Sequence, residues 1–562
     1  MNVLPMHMIP TEKPTGRLVD LPHGPQLLAA TLWESDISPG TIRQRAVAWM
    51  KAVAGPVRDV TVALEAIAWA QGLPFLKKTL ESEDCLALGE LLLRLPAEVD
   101  QQTLKDQPLV HQLLAGELAW TLATLATDAP VSRRLEKSGR GAVSLGLSQT
   151  LDRQGMLSAE RFRDLRPLLA CWTRCRVLAA GLPGGGLGPR SEQRYQRLFR
   201  NALRCNRPDG RSLLAKDDAN SQGGNSWGRE LFEAVLKGGV EEIDRGLAAV
   251  ALPDMSPSIV GRAPKKAADL PPASIFFESG AIAVLRRNWN RDDERIAVLF
   301  AGQMCEIELV SSGHVAASGA WRFEISQQGQ QLEPVSNWES SCWYTDEDVD
   351  YLELQIELTG CVKLQRQIVL AREDRFLLLA DALISPQRGN LEYRSILPLA
   401  PKVEFLAAAE SREGLLVHGR KATPGGKPAT SARPLAQVMP LALPEWRTEK
   451  NGGELRVIPE GLELRQTTAD QRMYAPLFID LNGGRFRRRM TWRQLTVAEA
   501  LRQVPSDAAI GFRVAIGDQQ WIIYRALAAR GNRTLLGHNL ATESLIARFG
   551  KDGEVTSIVE IE

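Results

Sequence analysis

The chain has 562 residues, 44% hydrophobic and 24% charged, and its 68 Lys and Arg against 67 Asp and Glu leave a formal net charge of +1. This length predicts more than one domain, and the composition, with only 46 Gly and 32 Pro, is that of a folded globular chain rather than a collagen-like or low-complexity one. A balance so near zero excludes a global basic field for nucleic acid and an acidic disordered tail.

Residues 1–40 read as an N-terminal extension. The start, Met1-Asn2-Val3-Leu4-Pro5-Met6-His7, has neither a basic segment nor an apolar run of the secretory kind, and charged residues, Gly or Pro interrupt every apolar stretch short of a bilayer span. The seven cysteines, at 85, 171, 175, 205, 305, 342 and 361, lack CxxC spacing. Reduced thiols, a cytoplasmic location and no membrane partner are the expectation.

From Thr41 to Ala251 the apolar period is helical. Ser82, Glu83 and Asp84 suit the exposed amides of a first turn, and Leu88, Leu91, Leu92 and Leu95 follow at helical spacing up to Pro96. A second helix spans about Val110 to Leu125, with Leu114, Leu118, Thr121, Leu122 and Leu125 aligned. A third carries Leu168, Cys171, Trp172, Cys175, Leu178, Ala179 and Leu182 on one stripe and stops at Gly181 and Pro183. Amphipathic helices in series predict helical hairpins packed into one layer, and no fixed-period repeat supports a solenoid. Asn220, Gln222, Asn225 and Trp227 fall in a Gly-containing loop between helices.

Between Leu252 and Ala273, Pro253, Pro257, Pro264, Pro271 and Pro272 favour extended chain, and 252–273 reads as a linker. Over 274–562 the period falls to two. In Tyr351-Leu352-Glu353-Leu354-Gln355-Ile356-Glu357-Leu358 the aliphatic residues share one face and Glu, Gln and Glu the other, the pattern of a half-buried antiparallel strand. Similar segments recur at Ile282 to Leu285, Arg295 to Leu299, Phe323 to Ile325, Phe376 to Leu379 and Trp521 to Tyr524, and the chain ends in a hairpin on Asp552-Gly553. The fold class is therefore α+β multidomain, a helical domain over 41–251 followed by stacked antiparallel sheets over 274–562, with a long loop from Gly419 to Pro434.

This order resembles the heparinase II/III-like polysaccharide lyases. The local likeness lies in Gln112-Leu113-Leu114-Ala115-Gly116-Glu117-Leu118, in Asp209-Gly210 after a basic helix, and in the run from Arg366 to Asp381, RQIVLAREDRFLLLAD. The resemblance implies an N-terminal incomplete α/α toroid before a C-terminal antiparallel β-sandwich, and an acidic oligo- or polysaccharide as partner. The family's His-x-His-x-Asp-x-x-Ser-Phe segment, aligned through Phe323-Glu324-Ile325 and Gln328-Gly329, falls on Val315, Ala317, Gly319 and Arg322, so its His/Asp motif is degenerate here. His314 lies one position from the first of these.

An active relative would be a carbon-oxygen lyase that takes the C5 proton of a uronic acid and breaks the bond to O4. That reaction needs side chains that neutralise the carboxylate and a His or Tyr to move the protons. Of the six histidines, His7 and His23 read as solvated and His111 as a core residue with Ala115 and Leu118, and His314, in the polar turn Ser311-Ser312-Gly313-His314, is the best base candidate. Tyr344 is the acid candidate. With Trp338 and Trp343 it either offers aromatic faces to sugar rings or covers the sandwich, and Asn220, Gln222, Asn225 and Trp227 complete the substrate-binding set.

No cofactor and no metal are expected. Asp346-Glu347-Asp348-Val349-Asp350 has Tyr351 where a calcium loop needs Gly, and Cys171 and Cys175 share a buried stripe without a histidine at ligand spacing. In Arg485-Phe486-Arg487-Arg488-Arg489-Met490-Thr491-Trp492-Arg493 an extended chain would line Arg485, Arg487, Arg489 and Arg493 on one face, either gripping a polyanion or shielding a sheet edge. No binding motif accompanies the run, which argues against nucleic acid. The degenerate motif keeps a second reading open, a glycan-binding or scaffolding protein without catalysis, beside a third, a protein that binds another polypeptide.

Overall fold

The two hydrophobic periods fold as helices and as strands, in that order. The computed structural model describes residues 24–32, 37–53, 55, 59–215, 224–263, 270–419, 432–449 and 452–562. The chain divides into two units, Met1–Leu270 and Pro271–Glu562.

In the first unit the longer helices are Pro39–Ala52, Val60–Leu76, Ser82–Glu98, Ala129–Thr150, Leu165–Ala180, Pro189–Arg204, Gly224–Lys237 and Glu242–Ala251. Neighbours in sequence pack on one another in the manner of an incomplete α/α toroid. The stretch read as an extension contributes a helix too, Gly24–Leu32, which packs on Val60–Leu76. Helix Ser82–Glu98 runs past Pro96, because a proline so near the end forfeits little of the hydrogen-bond ladder.

The segment from Val110 to Leu125 is not one regular helix. It passes from Pro108–His111 through a π-helix, Gln112–Leu118, into Ala119–Leu125, and all seven π-helical residues are buried. Gln112 anchors the wide turn: its Nε2 donates to the carbonyl of Ala142 at 3.0 Å, and Trp172 Nε1 donates to its Oε1 at 2.8 Å. Helix Ala129–Thr150 approaches this segment closely through two glycines. A Cβ at Gly146 would lie 2.2 Å from Gln112 Cδ, and one at Gly139 would lie 2.7 Å from Trp120 Cδ1. Helix Leu165–Ala180 is buried all round from Leu165 to Cys175 rather than along one stripe, because Arg174 is satisfied in the interior by Glu117, with bonds of 2.6 and 3.0 Å.

The second unit is built of antiparallel sheets. The first follows chain order, Ile275–Phe277, Ile282–Arg286, Arg295–Leu299, Glu306–Ser311 and His314–Ala320. An eight-stranded sheet runs Val403–Ala407, Gly414–His418, Arg433–Pro440, Arg472–Asp480, Phe376–Ile384, Val362–Ala371, Val349–Leu358, Glu339–Thr345. A third holds Leu391–Leu397 and Arg322–Gln327, and a C-terminal one runs Met490–Leu495, Ala509–Ile516, Gln519–Ala526, Ser544–Phe549, Val555–Ile561. A small sheet contains Val497–Glu499 and Arg533–Leu535.

One face of the eight-stranded sheet, with Leu352, Leu354, Ile356 and Leu379, shares a core with Ile296 and Leu309 of the first sheet and Ile325 of the third. Its other face, with Tyr351, Val369 and Phe478, packs on Phe512, Trp521 and Ile546 of the C-terminal sheet. The expected sandwich therefore carries a further layer, and its middle sheet is covered on both faces. The run from Arg366 to Asp381 forms the central hairpin of that sheet. Arg366 and Asp381 stand opposite each other, fully buried, joined by bonds of 2.9 and 2.8 Å, with the guanidinium 3.7 Å from the Trp321 ring.

Candidate functional site

Strands Glu306–Ser311 and His314–Ala320 are joined by Ser312 and Gly313, with φ of 50° and 78°. Two left-handed residues give the turn a twist that matches the strands it joins. Buried Ser311 donates its hydroxyl to the carbonyl of Leu435 at 2.7 Å, which fastens the hairpin to strand Arg433–Pro440 of the eight-stranded sheet. That attachment sets the ring of His314 against the ring of His418, the last residue of strand Gly414–His418, with 4.5 Å between centroids.

A carbonyl oxygen can only accept, so His314 Nδ1, 3.1 Å from the carbonyl of Ser312, carries a proton and leaves Nε2 for other work. Both rings are partly exposed. Burial, the charge of His314 and the cations Lys402 and Arg433 together hold the His418 imidazole below its ordinary titration range. Arg433 is the direct cross-strand partner of His418, and Lys402 and Arg433 are both exposed. A basic imidazole, a second imidazole with a fixed tautomer and two cations make an arrangement able to attract an anion and move a proton beside it.

Tyr344 does not join this group. His418 stands on the second strand from one edge of the eight-stranded sheet and Tyr344 on the opposite edge strand, six steps away, roughly 30 Å at the usual strand spacing. The first sheet gives the same answer, because Trp343 stacks at 5.3 Å on Phe276 of its first strand whereas His314 stands on its last. The Tyr344 phenol is exposed and donates to Asp346 at 2.8 Å, and that bond and the carboxylate's charge push its pKa up. Trp338 is buried in the core, edge-on to Phe323 and 5.0 Å from the Arg366 guanidinium, and Trp343 packs against the same core. Asn220 and Gln222 lie outside the described residues, as do His7 and His23. Asn225 and Trp227 fall in the first turn of helix Gly224–Lys237, not in a loop.

His111 is a core residue, buried, accepting at Nδ1 from Gln112 Nε2 at 2.9 Å, and burial lowers its pKa. Asp346 Oδ1 accepts from the backbone of Asp348 and Val349, and buried Asp350 accepts from Ser274 and Thr345 at 2.6 and 2.7 Å. Burial pushes the Cys171 thiol well above its ordinary range, as expected of an inert core cysteine. Among the described residues no three His, Cys, Asp or Glu side chains are grouped to hold a metal ion, and no helix is long and apolar enough to cross a membrane. The arginine run is not one extended strand. Residues 485–488 form turns, buried Arg485 is bonded to Asp480, and the strand starts at Met490.

Sequence reasoning overlooked His418, Lys402 and Arg433. His418 closes the alternating segment Leu415-Leu416-Val417-His418, which signals a strand end, but nothing local announces that a distant turn packs against it.

No family model matches this chain, and no curated protein sequence does. Solved structures do. A heparinase III structure superposes with a TM-score of 0.57 over 89% of this chain and 82% of its own, at 10% identity. A heparinase III gene product gives 0.55 over 87% and 81%, at 9% identity. Heparan sulfate lyase HepC from Pedobacter heparinus gives 0.50 over 90% and 82%, at 11% identity. At such identities the likeness is one of fold, and the order of helical unit and antiparallel sheets is common to all of them.

Proposed function

We propose that this chain is a polysaccharide-lyase-like protein that engages uronate-containing oligo- or polysaccharides and cleaves them by β-elimination at the His314–His418 pair, a carbon-oxygen lyase. The observation that carries the reading is the facing pair of imidazoles, 4.5 Å apart and flanked by Lys402 and Arg433; the similarity in fold to lyase structures supports it. In this scheme Lys402 and Arg433 attract the uronate carboxylate and stabilise the charge that spreads into it as the C5 proton leaves. His418, kept neutral by its cationic surroundings, takes that proton. The freed electron pair forms the C4–C5 double bond, the bond from C4 to O4 breaks, and protonated His314 delivers a proton from Nε2 to the departing oxygen.

The test mixes the full chain with a panel of uronate oligosaccharides and follows the ultraviolet absorbance of the 4,5-unsaturated product. Absorbance that grows with the parent protein and vanishes in His418→Ala and His314→Ala supports the scheme. A second reading, a glycan-binding relative without catalysis, is favoured by the sequence alignment through Phe323-Glu324-Ile325, which sets Val315, Ala317, Gly319 and Arg322 against the His, His, Asp and Ser of the resembled family. Binding without new absorbance would select it, and absence of both would end the carbohydrate proposal.

A further inference from the structure

The C-terminal sheet carries a concentration of positive charge that the described residues leave largely without ion pairs. Arg488, Arg489 and Arg493 are exposed and make no ion pair among the described residues. Arg493 also stands directly opposite Arg513 on the neighbouring strand, an arrangement that like charges disfavour. Among the described residues Arg513 is relieved only by Gln520, which accepts from its Nε at 2.8 Å, and by the Phe549 ring 5.4 Å away.

These arginines border a groove of about 690 Å³, within the size range of small-molecule sites. The small sheet shares a core with Leu495, Ala509, Ile522 and Tyr524 of the C-terminal sheet, whereas Thr491, Arg493, Arg513 and Ala515 line the groove. Across from them stands Trp446, 43% exposed. Its loop is clasped by the buried side chain of Arg412, which donates to the carbonyls of Pro444 and Glu449 at 2.8 Å and also to that of Trp446. Thr491 donates its hydroxyl to Glu445 and ties the loop to the strand. Glu413 lines the same groove, and its Oε2 is buried with no hydrogen-bond partner among the described residues.

We infer that this groove is a binding site for an acidic oligosaccharide, separate from the His314–His418 pair. An indole held on a braced loop offers a flat face to a sugar ring, and guanidinium forks match carboxylate or sulfate. Strand Met490–Leu495 is a sheet edge, and edge shielding accounts for its charge. It does not account for an exposed tryptophan and an unsatisfied carboxylate oxygen on the facing wall. Glu413 and Glu445 disfavour a ladder of phosphates, so a sugar acid fits better than nucleic acid.

The experiment measures binding of a fluorescein-labelled heparin octasaccharide to the full chain, with a neutral malto-oligosaccharide and a single-stranded DNA of similar length as competitors. It is run in the His418→Ala background so that cleavage plays no part. The inference expects Trp446→Ala and the double variant Arg489→Ser/Arg493→Ser each to weaken binding at least tenfold at an unchanged unfolding midpoint, with the neutral sugar failing to compete. Unchanged affinity in both variants overturns it. So does a loss confined to the arginine variant with DNA competing equally, which would mean bare charge attraction. Failure here leaves the imidazole pair to be judged by its own absorbance assay, and failure there leaves this groove standing.

Discussion

Glu353 and Arg525 meet in the interior between the eight-stranded and C-terminal sheets, Arg525 Nη1 donating to Glu353 Oε2 at 2.9 Å with both side chains buried. Tyr351 donates to the same carboxylate oxygen at 2.6 Å, and Gln365 accepts from Arg525 Nη2 at 2.7 Å. Removing Glu353 leaves the buried Arg525 with the partly exposed Glu543, at 2.8 Å, as its remaining carboxylate among the described residues, so Glu353→Ala is expected to lower stability by up to about 3 kcal/mol, the lower end of the cost of breaking a buried pair. Urea unfolding followed by circular dichroism measures this. The double variant Glu353→Ala/Arg525→Leu should recover part of the loss, and a parent-like midpoint in the single variant would mean that the pair is not what couples these layers.

The same glutamate marks where pattern reading stops. Alternation from Tyr351 to Leu358 put Leu352, Leu354 and Ile356 on one face, where the structure has them, because the side-chain period of a strand is a local property. It sent Glu353 to solvent, because its guanidinium partner lies 172 residues further on. Arg485 was misread likewise: five residues back, Asp480 draws it into a buried pair and breaks the expected row. The stop at Gly181 and the turn at Asp552-Gly553 were legible because glycine and its neighbours decide them alone. Half of the candidate site was legible through the polar turn before His314. The other half, His418, depends on two sheets meeting, which no local pattern encodes.

Gly146 sets a limit on how the helical unit packs. A methyl group there would sit 2.2 Å from Gln112 Cδ, and Gln112 cannot yield without giving up its bonds to Trp172 and Ala142. Gly146→Ala should therefore destabilise the protein by roughly 1–3 kcal/mol although alanine favours helix. The exposed Gly141, whose added Cβ meets nothing within 4 Å, is the control. Gly141→Ala should be neutral or slightly stabilising, and equal thermal midpoints for the two variants would contradict the packing argument.

His111 couples the same region to pH. Its Nδ1 accepts from Gln112, so protonation would set two donors face to face, and burial already lowers its pKa. A histidine whose folded pKa lies below its unfolded value of about 6.5 contributes stability at higher pH that is lost as the pH falls through that range, because the unfolded chain binds the proton more readily. Denaturant midpoints compared between about pH 7 and about pH 5 should fall more steeply for the parent than for His111→Gln. Parallel slopes would remove His111 from the account.

The titration of His418 offers the sharpest check on the proposed chemistry. Burial, His314, Lys402 and Arg433 all disfavour its charged form, so the free base should persist below the ordinary imidazole midpoint of about 6.5. The acid limb of kcat/KM is then expected to have its midpoint below that value, since activity needs His418 unprotonated. Replacing Lys402 with Met and Arg433 with Gln removes two of the cations, which raises the His418 pKa and moves the limb toward higher pH, while KM rises for lack of carboxylate attraction. Imidazole resonances followed by NMR across the same range report the shift whether or not the protein turns over a substrate. A limb and a His418 resonance that stay in place when both cations are gone would mean that these cations do not tune the base, and the site would have to be rebuilt around other groups.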